Sequence, residues 1–226
     1  MFRILSTLLL TCLVATSVFA DMVHIAATRD ATMIEDPGGA LANGSGPALF
    51  AGSTNQTVNG IRRALIHFDV ATALPENAMI DRVFLSLYQS SNNAMPSAFS
   101  LHRILADWGE GASFSTGGKG APAEPSDATW LHTFYDVQYW VQEGGQFIPH
   151  ASATEVVEGA DFYTWQSTTH LVNDVRLWLH APQKNFGWLV MGDEDAKGSV
   201  KRFDSREGMT SGQHPMLTVE YHMLGE

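Results

Sequence analysis

Alternation between apolar and mixed residues is the feature that most constrains how this chain can fold. In the segment 64–70, every second residue is apolar, beginning with Ala64. A period of two places these side chains on one face of a β-strand, which predicts that this face is buried. In the segment 80–88, Val83, Leu85 and Leu87 share one side, whereas Phe84, Ser86 and Tyr88 share the other. Further strands are predicted at 22–28, 48–52, 98–105, 186–191 and 216–222.

Only one segment has the pattern of a helix. After Ser167-Thr168-Thr169, apolar residues recur at helical spacing, and Pro182 ends the run. The apolar residues are Leu171, Val172, Val175, Trp178 and Leu179. Strands separated by turns, without regular alternation of strand and helix, indicate an all-β fold. We therefore expect a jelly-roll-like antiparallel β-sandwich with one short helix.

The first 20 residues have the layout of a secretory signal peptide. Arg3 supplies a positive charge, the stretch 8–14 is apolar, and small residues close the segment up to Ala20. We expect cleavage after Ala20, so that residues 21–226 form a single domain of a secreted or periplasmic protein. The apolar run is shorter than the roughly 20 residues that span a bilayer, so insertion into a membrane is not expected.

Cysteine usage and charge exclude several classes of function. The single cysteine, Cys12, lies in the predicted signal peptide, so the mature domain is expected to have no disulfide, thiolate metal site or cysteine nucleophile. The chain has 24 acidic and 13 basic residues and a net charge of −11. Such a surface repels phosphate groups, so nucleic acid and anionic membranes are not expected as partners. Nine histidines include no pair with the spacing of zinc motifs, so no copper or zinc site is expected.

Several local motifs follow one another along the mature chain. They are RRALIHFD at 62–69, LHRILADWGEG at 101–111, GAPA at 120–123, DATWLH at 127–132, NFGW at 185–188, GDE at 192–194 and KRFDSRE at 201–207. Together they resemble the bacterial DNRLRE-domain proteins, which are related to carbohydrate-binding module family 96. The resemblance implies an extracellular jelly-roll domain but no single agreed ligand. The namesake hexapeptide is kept only approximately, as DSRE at 204–207.

Aromatic residues are concentrated in the segment 130–147, which follows a loop at 109–127 rich in Gly, Ala, Ser and Pro. Aromatic faces stack on sugar rings, and neighbouring polar groups bind the sugar hydroxyls. We expect a polysaccharide site composed of Trp108, Glu110, Trp130, His132, Tyr135, Tyr139 and Trp140, with Gln138 and Gln142 close by. The alternative is that these rings only fix the long loop to the sandwich.

Oxygen-bearing side chains form two groups in the sequence that suit calcium, which prefers carboxylate, amide and carbonyl oxygens. The groups are Asp30, Glu35, Asp36 and Asn43, and Asp193, Glu194, Asp195 and Asp204. The expected site combines Asp30, Asp36, Asn43 and Asp204; the alternative is that these residues cap turns. Asp204, Arg206 and Glu207 are also expected to form ion pairs with Arg62, Arg63 or Arg202.

No catalytic motif is recognisable, and no Gly-x-Ser-x-Gly elbow occurs in the sequence. The expected function is therefore a non-catalytic extracellular binding module that recognises polysaccharide through the aromatic-rich region 108–147. Two alternatives stay open. One is a cell-surface or matrix protein that makes protein contacts, and the other is a polysaccharide-degrading enzyme on the same fold.

Overall fold

The computed structural model describes residues 20–223, so the predicted signal peptide lies almost wholly outside the described residues. The strands are β1 (Asp21–Ile34), β2 (Leu41–Asn43), β3 (Ala48–Ser53), β4 (Ile61–Phe68), β5 (Ala78–Gln89), β6 (Ser97–Arg103), β7 (Ala121–Pro122), β8 (His132–Phe134), β9 (Gln138–Tyr139), β10 (Ala153–Val157), β11 (Asp161–Trp165), β12 (Trp188–Met191), β13 (Lys201–Asp204) and β14 (Met216–Met223). The helices are the single turn α1 (Val70–Ala73) and the longer α2 (Thr169–His180). The all-β prediction is confirmed.

Twelve of these strands form two antiparallel sheets that face each other, and β8 and β9 form a separate hairpin. Sheet A contains β11, β5, β14 and the first half of β1, with β13 and β3 beside the far end of β5. Sheet B contains β10, β6, β12, β4, the second half of β1, β2 and β7. Strand β1 changes partner from β14 to β4 at Ala27, where the register shifts, and β3 also reaches β4. The two sheets therefore share continuous strands.

The main core fills the space between the sheets and is rich in aromatic residues. Trp165, Trp188 and Phe203 have no exposed surface. The predicted helix is confirmed as α2, which begins after Thr168, whose hydroxyl accepts the amide of Leu171. Its apolar side joins this core, where Trp178 lies 4.4 Å from Trp188 between ring centroids. Among the described residues, no helix is long and apolar enough to span a membrane.

A layer of loops covers the outer face of sheet B. Residues 104–147 supply most of this layer, and its rings pack on outward side chains of the sheet. The resulting second core consists of Ala31, Met33, Leu65, Ile104, Trp108, Ala128, Trp130, Trp140 and Leu189. Leu65, which the alternation assigns to the mixed face of its strand, is therefore buried as deeply as Ile66. Sheet B is covered on both faces, whereas the outer face of sheet A is not covered by such a layer.

Candidate ligand-binding surfaces

The three tryptophans of the predicted sugar site are buried. Trp108 is 0%, Trp130 8% and Trp140 6% exposed. The indole N–H of Trp108 donates to the carbonyl of Phe186 at 2.8 Å, and that of Trp140 donates to the carbonyl of Thr129 at 3.0 Å. The prediction that these rings form a platform for sugars is wrong, because they are already packed against sheet B. The structure agrees with the alternative, because the three rings pack on sheet B and hold the long loop against it.

The hairpin of β8 and β9 holds the other aromatic candidates. His132 is buried, and its ring is 2.9 Å from the hydroxyl of Thr129 and inclined at 40° to the ring of Tyr139, with centroids 4.3 Å apart. The expected contact of His132 with a sugar stays a prediction, and the burial of the ring counts against it. Tyr139 is 63% exposed, and Tyr135 is half-buried. Of the predicted set, these two tyrosines are the aromatic rings that solvent can reach.

Glu110 belongs to an acidic cluster that connects the loop layer to β1 and to the segment after β13. Both of its oxygens accept from the Arg206 guanidinium at 2.8 Å, and it also accepts the Asp30 amide at 2.7 Å. The Arg206 amide donates to the Asp30 carboxylate at 2.8 Å, and Nε of Arg206 is 2.8 Å from Glu207. Carboxylate oxygens of Asp30, Glu110 and Glu207 lie within 4.8 Å of one another. Arg206 thus lies among three carboxylates.

Burial raises the pKa of two carboxyl groups in this cluster. Asp30 is 1% exposed, and its burial raises its pKa well above the usual range, helped by the charges of Glu207 and Glu110. Burial also raises the pKa of Glu207, one of whose oxygens is buried and has no hydrogen-bond partner. Because Arg206 already spans the carboxylates and Asp30 is inaccessible, the cluster offers no open cleft for a glycosidic bond.

The other residues expected to bind calcium lie elsewhere. Asp36 accepts the amide of Ala40 within a turn at 2.8 Å. The Asn43 side chain donates to the carbonyl of Ala48 at 3.0 Å and accepts the amide of Ser115 at 2.9 Å. Asp204 pairs with Arg202 at 3.0 Å, as expected. Only Asp30 of the four expected ligands belongs to the acidic cluster, so the structure does not assemble that set into one site.

Arg62 and Arg63 do not make the expected ion pairs with Asp204 or Glu207 within the described part of the chain. Arg63 pairs with Glu194, at 2.7 and 2.9 Å. Arg62 is 2% exposed and instead donates to the carbonyls of Gly118 and Asn59, at 2.5 and 3.0 Å. Arg62 therefore joins two surface loops by hydrogen bonds to their backbone.

A surface groove lies beside Arg62, between the loop 54–60, the loop around Gly118 and the segments 91–93 and 198–202. Two adjoining depressions of about 600 and 500 Å³ share Phe50, Thr54 and Asn55. The lining residues are Phe50, Thr54, Asn55, Gln56, Arg62, Ser91, Asn93, Gly118, Lys119, Gly198, Val200, Lys201 and Arg202. We call this set the basic groove, because it includes four basic residues and, among the described residues that line it, no acidic one.

Some side chains of the basic groove are already held by hydrogen bonds within the protein, and others are free to contact a ligand. Lys201 is buried, and its ammonium donates to three backbone carbonyls at 2.6–2.7 Å. Burial lowers the pKa of both Lys201 and Arg62, as expected for buried cations. Arg62 also donates to the side-chain oxygen of Gln56 at 3.2 Å, which orients that amide. Asn55, Gln56 and Lys119 are exposed and line the open part of the groove.

The outer face of sheet A is a second accessible surface, and it carries three aromatic rings. Phe162 is 51% exposed and lies opposite Tyr88 in the register, with ring centroids 4.9 Å apart. Phe84 lies four residues before Tyr88 on β5, about 13 Å away, and the Arg82 guanidinium covers it at 4.7 Å. Met22, on β1, is exposed on the same face. We call this surface the outer A face.

Sequence reasoning contained a signal for the outer A face but not for the basic groove. The alternation in β5 places Phe84, Ser86 and Tyr88 on one side, and that side is the one left open. The groove combines residues from four separate segments without a shared motif.

No family model matches the chain, and a search of curated proteins gave no match.

Proposed function

We propose that this chain is a non-catalytic, secreted binding module whose basic groove holds an acidic polysaccharide. The supporting observation is the charge of the groove. Four basic residues and no acidic residue line its described part, and Lys119 is the exposed one among them, whereas the whole chain has a net charge of −11. A basic concave surface on an acidic protein favours a carboxylate-bearing ligand over a neutral one.

The polar groups of the groove also suit a sugar chain. The amides of Asn55 and Gln56 and the hydroxyl of Thr54 offer donors and acceptors for sugar hydroxyls. Lys119 supplies a mobile ammonium for a sugar carboxylate. Phe50 and Val200 give the groove an apolar floor, so the site has the mixture of apolar surface and few polar groups that is typical of ligand sites.

The proposal moves the polysaccharide site away from the aromatic-rich region. The resemblance to DNRLRE-domain proteins agrees with a binding module but stays a prediction, and the proposal does not depend on it. Calcium also stays a prediction, because the groove needs no metal to attract a carboxylate.

Affinity electrophoresis and calorimetry with uronate polymers and neutral glucans test the proposal. We expect retention by a uronate polymer and a loss of affinity as the salt concentration rises. Lys119→Ala should weaken the affinity by about fivefold, the value of one exposed ion pair of about 1 kcal/mol. Lys184→Ala, at an exposed lysine outside the groove, is the matched control and should have no effect. Absence of retention, or equal losses in both variants, would refute the groove as the site.

The outer A face favours a second candidate function, a surface protein that makes protein contacts. Phe162 and Met22 are each more than half exposed on the outer A face, and exposed apolar surface of this kind is typical of interaction sites. Sedimentation velocity over a range of concentrations tests this candidate. Phe162→Ser should abolish any association, whereas Tyr139→Ser, at an exposed ring outside this face, should not. A strictly monomeric chain at high concentration would count against it.

A further inference from the structure

His150 and His170 lie side by side at a cleft between the segment before β10 and the start of α2. Their Nε2 atoms are 3.0 Å apart, and their rings are inclined at 62° with centroids 4.4 Å apart. The cleft has a volume of about 290 Å³ and is also lined by Arg103, Asn173 and Asp174. Both histidines are exposed, so an ion can reach the pair from solvent.

The segments that carry the two histidines are tied together below the pair. The Thr168 hydroxyl, at the start of α2, donates to the carbonyl of Ser152, two residues after His150. The Ser152 hydroxyl in turn donates to Asp174 on α2 at 2.6 Å. Asp174 also accepts from Arg103 at 2.8 Å, so its charge is compensated within the cleft. These bonds hold His150 and His170 close without using either imidazole.

We propose that His150 and His170 form a binding site for a divalent transition metal ion, preferentially Cu²⁺. With metal–nitrogen bonds of about 2.0–2.1 Å, two nitrogens are about 2.9 Å apart at a right angle and about 3.3 Å apart at a tetrahedral angle. The observed 3.0 Å is closer to the right-angled arrangement, which Cu²⁺ and Ni²⁺ adopt in tetragonal sites. Cu²⁺ is also the divalent ion that such ligands bind most tightly.

The ion replaces a hydrogen bond that the two imidazoles make with each other. In the metal-free pair, one Nε2 carries a proton and the other accepts it. On binding, both rings coordinate through Nε2 in the Nδ1–H tautomer, so no net proton is released from two neutral rings. Water and the exposed Asn173 side chain at the cleft are available for the remaining positions.

Calorimetric titration of the untagged full chain with CuCl₂ tests the site. We expect one Cu²⁺ per chain, and His150→Ala or His170→Ala should weaken binding by roughly tenfold or more, since even outer-sphere changes at metal sites cost that much. His180→Ala is the matched control, because His180 is exposed at the other end of the same helix. Its affinity should equal that of the unmodified chain.

Electron paramagnetic resonance of the Cu²⁺-loaded chain provides an independent readout. The spectrum should show two coordinated imidazole nitrogens, and one of them should be lost in each alanine variant. Zn²⁺ should bind more weakly than Cu²⁺. The proposal is overturned if both alanine variants keep full affinity, if only one imidazole is seen, or if Zn²⁺ binds as tightly. Melting curves and a His170→Gln variant check that lost binding is not lost folding.

Discussion

Lys201 provides the sharpest test of how the interior is stabilised, because its ammonium is buried and forms no ion pair with a carboxylate of the described residues. Nζ donates to the carbonyls of Asn93, Met95 and Glu158, at 2.6, 2.7 and 2.7 Å. These bonds connect β13 to the loop after β5 and to the turn between β10 and β11. Lys201→Met shortens the side chain by one heavy atom, keeps it unbranched and removes all three donors.

The expected magnitude follows from these contacts. Hydrogen bonds from a charged donor contribute about 1.5–3 kcal/mol each, so three give roughly 4.5–9 kcal/mol. Burying an ammonium costs several kcal/mol, which offsets part of this gain. Gln89 continues to donate to two of the three carbonyls, at 3.2 and 3.1 Å. We therefore expect Lys201→Met to lower the free energy of unfolding by about 3 kcal/mol, and Tm by roughly 6–12 °C.

Urea denaturation and thermal melting measure this loss, with an unchanged m value as the sign that only stability has changed. Lys197→Met, at an exposed lysine nearby, should stay within about 0.5 kcal/mol of the unmodified chain. Polysaccharide affinity should fall less in Lys201→Met than in Lys119→Ala, because the Lys201 ammonium faces backbone carbonyls. A change in Tm of less than about 2 °C would show that the cost of burial cancels the three bonds, and would refute this reasoning.

Three further predictions concern titration and the loop layer. The pKa of Asp30 is raised in the folded state, so above pH 3.8 the folded state binds more protons than the unfolded state does. The free energy of unfolding therefore falls as the pH rises and the buried Asp30 carboxyl ionises. Asp30→Asn should therefore gain in Tm relative to the unmodified chain between pH 4 and pH 7, and a constant difference would contradict this. Burial and the Arg29 charge lower the pKa of His67 to about 4, so stability is lost as the pH falls from 6.5 towards 4, and His67→Gln should flatten that part of the Tm profile. Trp108→Ala should cost about 3–5 kcal/mol in urea denaturation, and Tyr139→Ala less than about 0.5 kcal/mol; similar losses would contradict the burial of Trp108.

The periodic parts of the sequence predicted the fold well. The alternation of β4 and β5 and the helical spacing of 171–179 each correspond to an element with the expected buried side. These patterns depend on neighbours two to four residues apart, so they are visible in the sequence alone. Strands β10 and β11 are not predicted, because their few apolar residues form no clear period.

The sites were harder to predict because they depend on contacts between distant segments. The Trp108 indole finds its acceptor at Phe186, 78 residues away, and nothing local distinguishes that ring from an exposed one. His150 and His170 are 20 residues apart, so a search for close histidine spacing cannot find them. Glu110 was expected to bind a sugar, and its ion pair with Arg206 was not foreseen, because the two residues are 96 positions apart. Sequence patterns therefore predicted the main strands and the helix, whereas the candidate binding surfaces could be identified only from the three-dimensional structure.

Strand β1 couples the two sheets mechanically, because its 14 residues pair with β14 in sheet A and with β4 in sheet B. Neither sheet is able to slide or peel away without breaking the ladder of its neighbour. We expect the domain to melt in one cooperative step, in which the basic groove and the outer A face are lost together. If a sugar chain binds at the basic groove, we expect it to slow the proteolysis of both sheets to a similar extent.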